Sequence, residues 1–295
     1  MDKLAYYKTQ SYITDPKNYS EYFNNLSNSV EDVVKIVQGI IVDKDLIGLY
    51  GETISENQKE DMDTRYVSDI MSIIIQRNSS PLTEKRLVQN RFVGSCRDYA
   101  IMLCSILRHK KIPARLRCGF DNYFNITSSL YDDHWICEYW NEVKKRWACV
   151  DANVDEIVKE KYKISINMLN ISSNKFIVAG KAWQMARSGD ADPNSFGVSS
   201  IDIKGLWFIR GSVVRDIASL NKFEALPWDY WGIADKELND FSDVDLDILD
   251  NAAKLSVAAG TLDELDKLSK FDSFVVPKKI KSYSPIKGLQ NIVLR

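Results

Sequence analysis

The stretch from Cys96 to Leu107 constrains the fold of this chain most. Apolar residues recur there at helical spacing, as at Ala100 and Leu103, and further apolar residues make the helix apolar nearly all round. A helix of this kind has to lie inside a protein. Pro113 prevents its continuation, because proline lacks the backbone donor that a helix interior requires. The sequence therefore predicts a buried helix that begins at Cys96.

An antiparallel sheet is predicted to follow this helix. Residues 114–120 alternate apolar side chains with Arg115 and Arg117, which is the pattern of a strand. Two aromatic-rich runs, 134–140 and 146–151, are then separated by a polar stretch. Such a pair of runs is typical of a β-hairpin with a short loop.

The register of this hairpin decides which side chains face each other. With a four-residue loop, Trp140 lies opposite Lys145, and His134 then lies opposite Asp151. Facing residues of an antiparallel pair have Cβ atoms about 4.5–5.5 Å apart. We therefore expect a hydrogen bond between the imidazole of His134 and the carboxylate of Asp151.

Cys96, His134 and Asp151 together suit nucleophilic catalysis. The first turn of a helix favours a thiolate, because its exposed N–H groups and its dipole stabilise negative charge. His134 would accept the thiol proton, Asp151 would orient the ring, and the backbone N–H of Cys96 would donate to an oxyanion. Taken singly, the three have ordinary explanations as a small buried residue, a strand histidine and a strand-end acid. Their combination favours a triad, whereas the other cysteines are expected to be buried small residues: Cys104, Cys118, Cys137 and Cys149.

Several segments around these residues form recognisable motifs. They are Gly94-Ser95-Cys96-Arg97-Asp98-Tyr99-Ala100, Ile112-Pro113-Ala114-Arg115, Cys118-Gly119-Phe120, Asp133-His134 with Glu138, Arg146-Trp147 and Val150-Asp151-Ala152. Together they resemble the transglutaminase-like family of papain-like thiol enzymes, and the resemblance covers roughly residues 60–155. Flanking motifs, Gly205 to Gly211 and Leu226 to Gly232, look like a bacterial branch of the same family.

The resemblance implies an α+β fold with a papain-like core. In such a core the nucleophile helix packs on an antiparallel sheet, here with a largely helical C-terminal extension. The family also supplies a side-chain donor to its oxyanion hole, for which Gln89 and Asn90 are the candidates. Family members commonly carry a tryptophan two residues after the histidine, but here that place is Ile136 and Trp135 adjoins the histidine. This departure concerns the substrate pocket rather than the triad.

Four segments are predicted along the chain. They are an N-terminal helical segment packed on the core (1–60), a catalytic core (61–155), an aromatic-rich and mainly helical extension (156–276) and a basic tail (277–295). The tail has five Lys or Arg and no acid, so we expect it to be loosely packed. Polar residues of the extension, among them Arg210, Arg215 and Asp216, are expected to form structural ion pairs. The acidic run 235–250 lacks the glycine and glutamate of a calcium loop, which favours a solvated helix or loop face.

Composition excludes several other classes of protein. The chain has 295 residues, 45% of them hydrophobic, and a net charge of −2, so nothing global draws it to nucleic acid. Its best apolar run, from Val33 to Val42, is shorter than the ~18–20 residues that cross a bilayer and carries Lys35. No secretory signal is visible, so we expect a cytoplasmic protein with no membrane partner. The cysteines form no C-x-x-C pair, which argues against structural zinc.

The sequence thus predicts a thiol enzyme that acts on an amide bond of a peptide or protein without a metal or organic cofactor. Hydrolysis is favoured over amine cross-linking, because the chain is too short for the extra β-domains of cross-linking transglutaminases and lacks the zinc module of the related peptide N-glycanases. One alternative is a catalytically silent fold that binds a peptide or protein. Another is a structural adaptor built on the tryptophan-rich segment 180–232, for which Cys96→Ala would leave every phenotype intact.

Overall fold

The chain forms two compact units. The computed structural model describes residues 2–124, 130–237 and 240–295. Unit 1 comprises Met1–Leu116 and Trp135–Ile171, and unit 2 comprises Arg117–His134 and Ser172–Arg295. Each unit therefore combines two separate stretches of the chain. The segment boundaries expected at residues 60, 155 and 276 stay predictions.

Helices occur in both units. The α-helices of the described residues are α1 (Lys3–Tyr7), α2 (Val30–Ile40), α3 (Val67–Arg77), α4 (Cys96–His109), α5 (Glu156–Tyr162), α6 (Ala179–Ser188), α7 (Leu206–Leu220), α8 (Asp243–Ala258) and α9 (Leu262–Ser269). Short 3-10 helices cover Lys17–Phe23, Ile47–Tyr50, Glu56–Asp63, Val88–Asn90, Pro193–Ser195, Ser199–Ile201 and Gly232–Asp235. Helix α2 begins where Ser29 accepts from the amide of Asp32, and Thr261 with Glu264 forms the predicted capping box of α9.

The strands are short except for the central two. They are β1 (Ile41–Asp43), β2 (Phe92–Gly94), β3 (Ala114–Asp121), β4 (Tyr131–Asn141), β5 (Arg146–Val150), β6 (Phe176–Val178), β7 (Phe196–Val198), β8 (Ile203–Lys204), β9 (Asp229–Tyr230), β10 (Lys279–Ser284) and β11 (Gly288–Val293). The largest sheet has the order β6-β3-β4-β7-β8, with β5 paired to β4. Strands β1 and β2 form a parallel pair.

Helix α4 is the central helix of unit 1. Its residues from Arg97 to Arg108 are all buried, as the all-round apolar pattern predicts. It packs against α2, α3 and the β1–β2 pair, and the thiol of Cys104 on α4 bonds to that of Cys137 on β4. The Arg108 guanidinium donates to the Ala114 carbonyl at 2.9 Å. These contacts confirm a buried helix that begins at Cys96 and packs on a strand.

Both arginines of β3 are buried, although the alternating pattern suggests an exposed face. In unit 1, Arg115 donates to the Glu138 carboxylate at 2.7 Å and lies 4.0 Å from the centre of the Trp147 ring. In unit 2, Arg117 pairs with Asp216 at 2.9 Å. A buried cation requires a partner of opposite charge, and each arginine has a carboxylate from another element.

Unit 2 is built around α7, which packs against α6, α8 and α9. Its core includes Trp183 and Trp231, and the Trp183 indole donates to Asp250 of α8 at 2.6 Å. Of the predicted ion pairs, Asp216 forms one, whereas Arg210 bonds to the Ala234 carbonyl and lies against the Phe241 ring.

The C-terminal residues differ from the expected tail. Strands β10 and β11 form an antiparallel hairpin, and β10 also pairs with β9 through Lys281 and Tyr230. Ile280 on β10 is buried against the core of unit 2. The charge count misses this hairpin because its lysines alternate with residues that face inward, as a strand with one buried face requires.

The second half of the acidic run, from Asp243, forms the first turns of α8. The Asp245 carboxylate accepts from the Ser242 amide and from Lys236, so it caps the helix, and it is buried rather than solvated as expected. Within the described residues, no three His, Cys, Asp or Glu side chains gather as a metal site would require. Nor does any helix in residues 2–124, 130–237 or 240–295 have the length and apolarity needed to cross a membrane.

Candidate active site

Cys96 is the first residue of α4, in unit 1. Strand β2 ends at Gly94, and Ser95 then takes an extended conformation as the N-cap of the helix. The side chain of Cys96 is half-buried. The thiol therefore adjoins the N–H groups of a 14-residue helix, where negative charge is stabilised.

A buried ion pair supports the start of this helix. The Asp98 carboxylate accepts from the Ser95 amide at 2.8 Å and from Arg97 at 3.0 Å, and neither charged side chain is more than 1% exposed. Burial raises the pKa of Asp98, while the charge of Arg97 opposes that shift. Gly94 is required here, because a Cβ atom on it would lie 2.7 Å from Asp98 Oδ2.

The other thiols lie in different surroundings. Burial raises the pKa of Cys118 and of Cys137 well above the ordinary range of a thiol. Cys104 is buried in α4, and half-buried Cys149 on β5 lies 3.6 Å from a Glu138 carboxylate oxygen. A neutral thiol is a poor nucleophile, so these surroundings favour Cys96 as the reactive cysteine.

His134 lies on β4, in unit 2, and is 3% exposed. Its imidazole Nδ1 is 3.7 Å from Oδ2 of Asp121, a carboxylate at the end of β3. The rings of Tyr123, Phe124 and Phe176 surround it, with centroid distances of 5.7, 5.6 and 6.5 Å. The histidine is therefore held among aromatic rings next to a buried acid.

The predicted register of the hairpin is wrong by two residues. Trp140 pairs with Trp147 rather than Lys145, and the ladder ends at Cys137 with Val150. The loop begins one residue later than expected, because Asn141 pairs with Arg146 while its side chain accepts from the Lys144 amide. The cross-strand argument for a bond between His134 and Asp151 is therefore lost, and their pairing stays a prediction.

Asp151 follows β5 in unit 1 and is 1% exposed. Its amide donates to the Met168 carbonyl at 3.0 Å, and its Oδ1 accepts from the Asn153 amide at 2.8 Å. The Asn153 side chain donates in turn to Asp43 at 3.0 Å, and Asp43 pairs across β1–β2 with Gly94. A short polar chain therefore joins Asp151 to the strand that leads into Cys96, within one unit.

Asp43 gives this polar chain a predicted pH dependence. Burial raises the pKa of Asp43 to about 6, and the charge of nearby Asp45 adds to this. Because the folded protein binds this proton more tightly than the unfolded chain, the contribution of Asp43 to stability should decline as pH rises from about 4 to about 6. We expect Asp43→Asn to gain stability relative to the native protein at pH 7, but not at pH 4, in urea unfolding.

The exposed neighbour provides the control for that measurement. Asp45→Asn removes a carboxylate from the same turn, yet this residue is exposed and should show a smaller difference between the two pH values. An equal effect of Asp43→Asn at both pH values would contradict the assigned role of burial.

Gln89 and Asn90 lie in the 3-10 helix Val88–Asn90, just before β2. Gln89 is exposed, and its backbone carbonyl accepts from Gln58 at 3.3 Å. Both belong to the unit that contains Cys96. Their role as oxyanion donors stays a prediction.

A sequence model of the Transglutaminase-like superfamily matches residues 58–152. Residues 58–152 form a transglutaminase-like core. This transglutaminase-like core contains α4, β3, the β4–β5 hairpin and each of Cys96, His134 and Asp151. The predicted family resemblance and the α+β fold class are confirmed.

Comparisons of the whole chain add one solved structure. A crystal structure from Cytophaga hutchinsonii, described as a "Putative Cysteine Protease", shares 16% identity with this chain and gives a TM-score of 0.34. The match covers 55% of this chain and 45% of that chain, so it spans just under half of the other protein. No curated protein sequence matches the chain.

Sequence reasoning missed Asp121, Asp43 and Asn153. Asp121 lies near His134 because β3 and β4 are neighbours in the sheet. Asn153 lies two residues after Asp151, and it joins Asp151 to Asp43 by a hydrogen bond between distant segments. Asp121 and Asp43 are each the last residue of a strand. An acid at a strand end is the sequence feature that could have marked them as candidate site residues.

Proposed function

We propose that this protein is a thiol-dependent acyl-transfer enzyme that cleaves an amide bond of a peptide or protein. Cys96 is the nucleophile, His134 the general base and acid, and Asp151 the residue that orients the histidine. The proposal rests on the position of Cys96, a half-buried thiol at the first residue of a buried helix within a transglutaminase-like core.

Each step of the reaction would use groups of this chain. The Cys96 sulfur attacks the amide carbonyl carbon while its proton passes to His134, and the carbonyl oxygen becomes an oxyanion. The backbone N–H of Cys96 suits stabilisation of that oxyanion. His134 then gives its proton to the departing amine as the C–N bond breaks, which leaves a thioester on Cys96.

Water is the proposed acceptor of the acyl group. It attacks the thioester carbonyl, the C–S bond breaks, and a carboxylic acid and the free thiol are released. Incubation of the protein with a peptide library in ¹⁸O-labelled water, with a primary amine present, separates hydrolysis from transfer. We expect ¹⁸O in the new carboxyl group, whereas an amine adduct as the main product would indicate cross-linking.

The test of the nucleophile is the alkylation rate of each cysteine against pH, resolved by peptide mass spectrometry. An ordinary thiol has a pKa of about 8.5 and is almost entirely protonated at pH 6. At that pH we expect Cys96 to react at least about tenfold faster than Cys149, because a helix N-terminus and a neighbouring imidazolium both favour thiolate. In His134→Ala this advantage should disappear.

Two comparisons make this test specific. Cys149 is half-buried like Cys96 but lies on a strand, so it controls for access of the reagent. His109→Ala removes the other histidine, whose ring bonds to Asn24 at the far end of α4, and should leave Cys96 as reactive as before. If Cys96 reacts no faster than Cys149, the enzyme proposal fails and a peptide-binding role takes its place.

A further inference from the structure

The strongest unassigned feature is the buried carboxylate of Asp121 beside His134. The distance from its Oδ2 to the imidazole Nδ1 is 3.7 Å, and both side chains are less than 5% exposed. The other histidine of the chain, His109, has a different partner, because its ring bonds to the Asn24 amide oxygen. The pair therefore distinguishes the candidate base from an ordinary surface histidine.

The carboxylate is held in place by its own turn. Its Oδ1 accepts from the amides of Tyr123 and Phe124 at 3.0 and 3.1 Å, at the point where β3 ends. Two amide donors favour the ionised form of a buried acid. These two backbone contacts fix Oδ1, and Oδ2 is the oxygen that lies towards the imidazole.

Aromatic rings limit the access of water to the pair. Tyr123 presents its ring edge-on to the imidazole, and Phe176 lies directly across β3–β6 from Asp121. Charges in such an environment are screened less than charges in water. Asp133, next to His134 on β4, is a second acid that acts on the ring, and burial raises the pKa of Asp133 to about 6.

We propose that Asp121 is a second positioning residue for His134, in addition to Asp151, and that its carboxylate on the Nδ1 side stabilises the protonated imidazole that forms when the histidine takes the thiol proton. This role rests on the proposed function of His134. An ionised carboxylate at this distance would lower the free energy of the imidazolium relative to the neutral ring. The same contact restrains the ring within its aromatic surroundings.

The experiment is an NMR pH titration of the His134 ring in the full chain. It uses Cys96→Ala, so that no thiolate affects the histidine, with and without Asp121→Asn. With two histidines in the chain, His109→Ala assigns the signals. We expect Asp121→Asn to move the His134 midpoint to lower pH and to leave the His109 midpoint unchanged.

Asn preserves the turn, because its side-chain oxygen can still accept from the amide of Tyr123. Asp132→Asn is the matched control: it removes a carboxylate from the same strand, one that accepts from Ser199 at 2.7 Å. Its effect on the His134 midpoint should be smaller than that of Asp121→Asn. Asp121→Ser, whose hydroxyl can also accept from the turn, replaces Asn if that variant does not fold.

An unchanged or raised His134 midpoint in folded Asp121→Asn would overturn the proposal. So would loss of cooperative unfolding in both the Asn and the Ser variant, which would make Asp121 a purely structural residue. Because the titration is done without the Cys96 thiol, its outcome does not depend on whether Cys96 is a nucleophile. The alkylation test of the proposed function can therefore fail separately.

Discussion

Replacing Asp216 by alanine should lower the free energy of unfolding by about 3–5 kcal/mol, because it removes the carboxylate that balances the charge of buried Arg117. Asp216 on α7 is fully buried and accepts four hydrogen bonds. Its Oδ1 accepts from Arg117 at 3.0 Å and from the Cys118 amide at 2.9 Å. Its Oδ2 accepts from Arg117 at 2.9 Å and from the Ser256 hydroxyl at 2.6 Å. Urea unfolding followed by circular dichroism measures the loss.

A more exposed ion pair of the same unit gives the control. Asp235 and Lys281 are 2.6 Å apart, with side chains 34% and 47% exposed. Solvent-exposed pairs contribute little, so Asp235→Ala should cost under about 1 kcal/mol. Equal losses in the two variants would mean that the hydrogen bonds of Asp216 stabilise the fold no more than a surface ion pair does.

The second large effect is expected at the start of the nucleophile helix. Asp98→Ala removes both the acceptor of the Ser95 amide at the start of α4 and the carboxylate beside buried Arg97, and should also cost about 3–5 kcal/mol. The double variant Arg97→Met/Asp98→Ala should recover part of this loss, because it no longer buries a cation without its carboxylate. Urea unfolding of the three proteins measures both changes.

Helix α9 offers the matched control, because its capping box has the same geometry at the surface. The Glu264 carboxylate accepts from the Thr261 amide at 2.8 Å, as Asp98 accepts from Ser95. Glu264→Ala should cost only about 0.5–1 kcal/mol, since water replaces the lost acceptor. If Asp98→Ala costs no more than this, the buried ion pair does not stabilise the nucleophile helix.

Elements with a strong local signal could be predicted from the sequence. Helix α4 follows from an apolar pattern and a proline stop, and it begins and ends within two residues of the prediction. The hairpin follows from two aromatic-rich runs with a polar loop. Its register could not be predicted, because the loop start depends on one side-chain bond of Asn141 and on the left-handed backbone of Lys145.

The candidate site also has a part that could be predicted from nearby sequence and a part that could not. The position of Cys96 at a helix start depends on neighbouring residues and was predictable. The link from Asp151 through Asn153 to Asp43 was not, because the bond between Asn153 and Asp43 spans 110 residues of sequence. The proximity of Asp121 to His134 depends on the order β6-β3-β4, which no pattern in the chain specifies. Likewise, the burial of Arg117 depends on a carboxylate almost 100 residues away.

The interleaving of the two units affects the order in which the chain can mature during synthesis. Unit 1 is complete only when Ile171 has emerged from the ribosome, although residues 117–134 have already appeared. Those residues, with His134 at their end, belong to a unit whose remainder starts at Ser172. A fragment limited to residues 58–152 would lack α2 and the Met168 carbonyl that binds the Asp151 amide. The unit that contains the candidate histidine therefore needs chain that is synthesised after the nucleophile helix.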